Sequence, residues 1–204
     1  MARTKQQNQR MRDDRREAIL SGAVKLFATR GLAATKVADI AAAVGMAQGL
    51  LYHYFSSKED IFVEIVRRAF TRLNTAARNL ERAPQPPRDK LELAATQILK
   101  DLVQGEDFGW YSTLISLASI SDAVPAEARA MIGRERDVSY EVVARIVRAG
   151  QKAGTVRSGR AEDMALVFWN AVKGLALQKA ALGRDFRAPH WSALTNIFFD
   201  GGGT

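Results

Sequence analysis

Residues 35–61, TKVADIAAAVGMAQGLLYHYFSSKEDI, restrict this chain more than any other segment. Val37, Ile40, Ala41 and Val44 recur at i, i+3, i+4 and i+7, the apolar face of a two-turn helix. Thr35 stands at its N-cap, where a hydroxyl can accept an orphan backbone N–H. Gly45 is placed to end it, because glycine takes the left-handed C-terminal conformation at little cost. Ala47, Leu51 and Phe55 then form the buried edge of a second helix, with Gln48, Gly49, Tyr52 and His53 opposite and Leu50 and Tyr54 at the margins. Consecutive helical residues point about 100° apart, so Tyr52, His53 and Tyr54 cannot all be core. Ser56 and Ser57 each precede an acid by three residues, Glu59 and Asp60, which is capping-box spacing for a further helix. Two short helices around a glycine turn, the second offering aromatic and imidazole groups outward, are the pattern of a helix-turn-helix DNA reader.

A supporting helix lies upstream. Asp13 or Asp14 can cap it, Ile19, Ala23, Leu26 and Phe27 form its stripe, and Gly31 stops it. Three helices therefore precede Ser56 and form a small bundle. Charge agrees. The chain carries a net +8 with pI about 10.0, which favours polyanionic partners. Within residues 1–58 the only acids are Asp13, Asp14, Glu17 and Asp39, so the basic excess concentrates where the reader lies. Residues 1–11 are polar without an apolar period and are expected to be a disordered basic arm, either following DNA or simply solubilising.

The runs AILSGAVKLFATRG, TKVADIAAAVG and GLLYHYFSSKEDIF closely resemble the N-terminal domain of TetR-family (tetracycline-repressor-like) transcription regulators over roughly residues 12–72. The resemblance implies DNA contacts from Thr35, Lys36, Gln48, Gly49, Leu50, Tyr52, His53, Tyr54 and Lys58. Thr35 and Lys58 would touch phosphates, the aromatic run phosphates and base edges, and Gly49 would allow close backbone approach. Two departures stand out. Met46 replaces the Ser or Thr that usually caps the reading helix, and Leu50 replaces a small or polar residue. Asp39 reads as a structural or cap-region charge.

The rest of the chain reads as helix. With 204 residues, 47% hydrophobic and 25% charged, the chain can bury a substantial core, and no strand alternation is evident. The class is all-α: a three-helix helix-turn-helix DNA-binding domain (12–72, motif about 35–55), a helical ligand-binding and dimerisation domain (73–200) and a flexible tail (201–204). Helices are expected at 58–82, ended by the PQPP run at 84–87, then at 91–103 and 108–120. One long charged helix should follow Pro125 as far as Gly150 or Gly154, with others at 161–182 and 189–199.

Members of the resembled family pair their last two helices across a two-fold axis. That implies a homodimer interface drawn from Val172, Leu175, Leu182, Trp191, Leu194, Ile197 and Phe198. Trp110, Tyr111, Leu114, Met131, Phe168, Trp169, Asn170 and Gln178 are candidates for an apolar, aromatic-lined effector pocket, the alternative being ordinary core.

Catalysis finds no support. His53 and His190, the only histidines, lie in no metal-binding spacing, and no nucleophile elbow, phosphate-binding loop or dinucleotide fingerprint is present. His190 reads as a surface or cap residue. Zero cysteines exclude disulfides and thiolate metal sites. With no cofactor, signal segment or membrane span evident, the expectation is a cytoplasmic regulator binding an operator duplex and a small-molecule effector.

Overall fold

A computed structural model describes residues 5–105 and 107–199, and the described residues form helices joined by short turns. The expected tail at 201–204 and residues 1–4 of the expected arm lie outside them. In chain order the helices are α1 (Lys5–Ala34), α2 (Val37–Ala43), α3 (Gln48–Leu51), α4 (Lys58–Arg82) and α5 (Pro87–Gln104). They continue with α6 (Phe108–Ala118), α7 (Ala126–Glu135), α8 (Val138–Lys152), α9 (Ala161–Leu182) and α10 (Ser192–Thr195). No helix among the described residues is long and apolar enough to cross a membrane.

α1 begins far earlier than its apolar stripe. Ile19, Leu20, Ala23, Val24 and Phe27 are buried, yet the helix extends back to Lys5 through exposed polar turns. The expected disordered arm is therefore helical from Lys5, and Asp13 and Asp14 are interior residues rather than caps. The physical reason is that helix propagation costs little once packing has nucleated the helix, and Gln, Arg and Met are good helix formers. Gly31, at φ 77° and ψ 164°, breaks the helix where expected.

Two apolar clusters form the interior. The first joins α1, α2 and the first half of α4 (Ile61, Phe62, Ile65, Val66, Phe70) to Leu114 and Ala118 of α6 and to Ala128, Met131 and Ile132 of α7. Phe27 and Phe62 meet edge to face in it, their ring centroids 5.5 Å apart. The second is built from α5, α8, α9 and the C-terminal turn, with Ala77 of α4 at its edge. The core of the N-terminal bundle thus crosses the boundary expected near residue 72 and continues into α6 and α7. α4 belongs to both clusters.

Three helix boundaries depart from the sequence expectations. α5 starts at Pro87, the favoured first helical position for proline, rather than at 91. The long helix after Pro125 is two helices, α7 and α8, parted at Arg136 and Asp137. α7 buries its face in the first cluster and α8 in the second, a demand that periodicity alone does not reveal. The break frees the Glu135 carbonyl, which accepts from the Asn74 side-chain amide at 3.2 Å. The final helix is only the short α10. There the backbone N–H of Arg157 donates to the Phe198 carbonyl and its Nε to that of Ile197, so the chain end is held by the α8–α9 connection.

Candidate nucleic-acid interface

Gly22 of α1 lies so close to α2 that a Cβ there would sit 2.5 Å from Val44 Cγ1, which sets the tight packing of the motif on its support. α2 begins after Lys36, whose N–H donates to the Asp39 carboxylate at 2.9 Å. Asp39 is thus a cap-region charge, as its position suggested. The chain reverses at Gly45, where φ is 63° and any side chain would be strained. α3 then runs from Gln48 to Leu51, and the following turn carries Tyr52 to Tyr54, closed by bonds from the N–H groups of Tyr54 and Phe55 to the Leu51 carbonyl.

The turn is anchored from beneath. Leu51 and Phe55 are buried. Arg16 of α1 donates from Nη1 to the Tyr54 carbonyl at 2.9 Å and stacks over the Phe55 ring, 4.3 Å from its centroid. No local pattern marks Arg16 for this role, because the carbonyl it meets stands 38 residues away in sequence. With the inner side fixed, Gln48, Gly49, Leu50, Tyr52 and His53 all face solvent, while Tyr54 is half-buried against the core. Leu50 and Tyr52 are unusually open for their size, at 42% and 49% exposure. Lys36 is also exposed beside this surface.

Two expected phosphate contacts have other tasks. Thr35 is fully buried, and its hydroxyl donates to the Gly31 carbonyl at 2.7 Å; it neither caps α2 nor presents its side chain to a ligand. The Lys58 ammonium donates to the carbonyls of Leu32, Ala33 and Thr35 at 2.8, 3.1 and 2.9 Å. An ammonium has three N–H donors. All three are used to satisfy carbonyls freed by the break at Gly31, so Lys58 ties α4 to the end of α1.

The register of the reading helix also needs correction. Met46 is buried, and Ala47, expected in the buried edge, is exposed at the N-cap. The residue that fails to cap α3 is therefore Ala47. α4 is properly capped: Ser57 Oγ accepts from the Asp60 N–H at 3.0 Å. The Ser56 hydroxyl bonds the Asp60 carboxylate, the main cause holding its pKa below the ordinary value.

The residues expected to line an effector pocket are divided between the two apolar clusters. Leu114 and Met131 are buried in the first cluster with Trp110 and Tyr111 against it, whereas Phe168 and Trp169 belong to the second. Trp169 Nε1 donates to the Ser139 carbonyl at 3.1 Å, and Asn170 and Gln178 face solvent on α9. Phe168 and Trp169 are core, the alternative already open at the sequence level, while Trp110 and Tyr111 are partly buried. Several expected dimer residues are core as well: Val172, Leu194 and Phe198 are buried within the protomer, and Leu175, Trp191 and Ile197 are partly so. Of that set only Leu182 is well exposed, and on α9 it is joined by Leu166, Val167 and Leu177. His190 accepts at Nδ1 from the Ser192 N–H at the start of α10, a cap role.

The motif lies within a match to the family model of bacterial regulatory proteins, tetR family, at residues 19–65. The chain is 31% identical to the HTH-type transcriptional repressor KstR2 of Rhodococcus jostii, over 78% of each chain. Among solved structures, MbdR from Azoarcus sp. CIB superposes with a TM-score of 0.77 at 21% identity, covering 92% of this chain and 98% of that one. PfmR, a TetR family transcriptional regulator from Thermus thermophilus, gives 0.62 at 25% identity over 87% and 90%. A solvent-facing reading turn locked onto a three-helix support, with relatedness running through most of the body, places the protein in the TetR family of DNA-binding transcription regulators.

Proposed function

We propose that this protein is a cytoplasmic homodimeric repressor that binds a palindromic operator and is released from it by a small molecule. The observation that carries the DNA-binding surface is the arrangement at α3. Leu51, Phe55 and Arg16 fix the inner side, leaving Gln48, Gly49, Leu50, Tyr52 and His53 free to meet a major groove. Lys36 and Tyr54 flank that surface. In this reading Gln48 bonds a base edge, Leu50 packs on a thymine methyl, and Tyr52 and His53 reach phosphates or bases.

Dimerisation uses exposed apolar side chains of α9, Leu166, Val167, Leu177 and Leu182, rather than the C-terminal turn. Leu166 and Leu177 share one face of the helix, and exposed apolar side chains on a long helix offer a self-association surface. Two-fold pairing would present two reading heads to half-sites about one helical turn, or a multiple of it, apart. The relative KstR2 is named a transcriptional repressor, which supports repression for this chain.

Release requires two conformers with different head spacing. α4 is suited to connect them, because it is packed into both apolar clusters. A full reversal from 1:99 to 99:1 needs about 5.5 kcal/mol of differential ligand binding.

Selection of bound duplexes from a random library, followed by footprinting, tests the reading. A palindromic consensus protected by wild type, and lost with Tyr52→Ala together with Gln48→Ala, is the expected result. Leu177→Glu should give a folded monomer in sedimentation, with half-site affinity only. Binding without sequence preference, or a dimer insensitive to Leu177→Glu, would overturn the corresponding part.

A further inference from the structure

A cleft of about 260 Å³ lies between the middle of α4 and the end of α7. Phe70, Asn74 and Arg78 enter it from one face of α4, four residues apart, with Arg67, Thr71 and Thr75 beside them. Met131, Arg134 and Glu135 enter from α7. Three guanidinium groups therefore line the cleft against one carboxylate.

Those arginines are not equivalent. Arg67 is paired with Glu64 and Glu127. The guanidinium groups of Arg78 and Arg134 have no ion pair or hydrogen bond among the described residues. Asn74, which lines the same cleft, carries an orphaned acceptor. Asn74 is 3% exposed and its Oδ1 has no donor among the described residues. The amide orientation is fixed by its other end, since Nδ2 donates to the Glu135 carbonyl at 3.2 Å and to its carboxylate at 3.0 Å. Turning the amide over would set an oxygen against two acceptors. A buried polar atom left unsatisfied is costly and rare in a folded chain, so a group that supplies a donor there gains affinity.

We infer that the α4–α7 cleft is a binding site for a small organic anion that also carries a hydrogen-bond donor. Its carboxylate or phosphate would meet Arg78 and Arg134, and its hydroxyl or amide N–H would donate to Asn74 Oδ1. Phe70 and Met131 supply an apolar floor for the connecting carbon atoms. Guanidinium groups suit such anions because they offer planar paired donors that stay charged. The site is set on α4, the helix shared by both apolar clusters. Its identification as an effector site rests on the regulatory reading above, whereas the binding chemistry does not.

Calorimetric titration of the full chain with 3-hydroxybutyrate and with glycerol 3-phosphate separates a carboxylate from a phosphate ligand. Butyrate lacks the donor and 1,3-butanediol lacks the charge. At least one hydroxylated anion should bind wild type. Butyrate should bind about tenfold more weakly than 3-hydroxybutyrate if the carboxylate is preferred, the loss of one donor to a buried acceptor. The diol should not bind measurably. Arg78→Gln with Arg134→Gln changes only exposed side chains and should keep the thermal midpoint while weakening the anion at least about tenfold. Asn74→Leu, checked for folding by circular dichroism, should remove the preference for 3-hydroxybutyrate over butyrate. Failure of both anions to bind wild type, or equal binding by the Arg78/Arg134 variant, overturns the site. Operator binding is measured on the same samples. Anion binding that leaves operator affinity unchanged supports the site and overturns its effector role, while operator binding with no anion bound overturns the site and leaves the DNA-binding reading standing.

Discussion

The hydroxyl of Ser21 on α1 is shared between the two carboxylate oxygens of Asp107, just before α6, at 3.0 and 2.9 Å. One turn further along α1, Lys25 Nζ stands 5.7 Å from the centre of the Trp110 ring. The N-terminal bundle is therefore fastened to the body by a polar tie beside the apolar one. Ser21→Ala should lower stability by about 1 kcal/mol, the usual net value of such a bond, seen as a reduced urea midpoint with unchanged slope. A variant as stable as wild type would show that water replaces the tie at no cost.

Lys58 gives a sharper test because its geometry and its family role disagree. With all three donors on carbonyls, Lys58→Met should destabilise the fold by about 1–3 kcal/mol. The salt dependence of operator binding should keep its slope, whereas loss of a phosphate contact would reduce that slope by about 1. A stable variant with the smaller slope would return Lys58 to the DNA surface.

Gly49 separates folding from binding. A Cβ built there meets nothing within 4 Å, and the residue is helical with no positive φ. Gly49→Ala should therefore raise stability by about 0.5–1 kcal/mol. It should also lower operator affinity, since the added methyl would stand where backbone and DNA approach. Unchanged affinity would mean that the duplex does not come close at this position.

Ala47 occupies the N-cap of α3 without a side chain able to cap it. Ala47→Ser should add about 0.5–1 kcal/mol, measured as a higher thermal midpoint. No gain would imply that the α3 N–H groups are already satisfied by water.

Glu81 at the end of α4 accepts from Arg145 of α8 at 2.6 and 3.1 Å, and that hydrogen bond is the largest cause of its lowered pKa. A depressed carboxylate pKa stabilises the fold above the ordinary glutamate range, and the contribution is lost as pH falls through the folded-state value. Both groups are partly exposed, so solvent screening limits the pair to at most about 1 kcal/mol. Glu81→Gln should be less stable than wild type near pH 7, and the two should converge as pH falls through the lowered folded-state value. A difference that persists in acid would point to packing rather than charge.

Local rules reached far in this chain. The periods of Val37 to Val44 and Ile61 to Leu73, the left-handed glycine at 45 and the Ser57 cap are short-range chemistry, so α2, the turn and α4 could be read directly. The exposure of Gln48, Gly49, Tyr52 and His53 was also expected, although the helix ends at Leu51 and Tyr52 and His53 stand on the turn after it. What the sequence could not supply depended on partners distant along the chain. Whether Lys58 points at DNA or at Thr35, whether Phe168 lines a cavity or fills a core, and where α7 parts from α8 are decided by the packing of two clusters on one shared helix. The same holds for Asn74, an ordinary residue in sequence whose burial leaves one oxygen without a donor among the described residues. Periodicity records which face is apolar; only the folded arrangement determines what that face, and each polar group at its edge, meets.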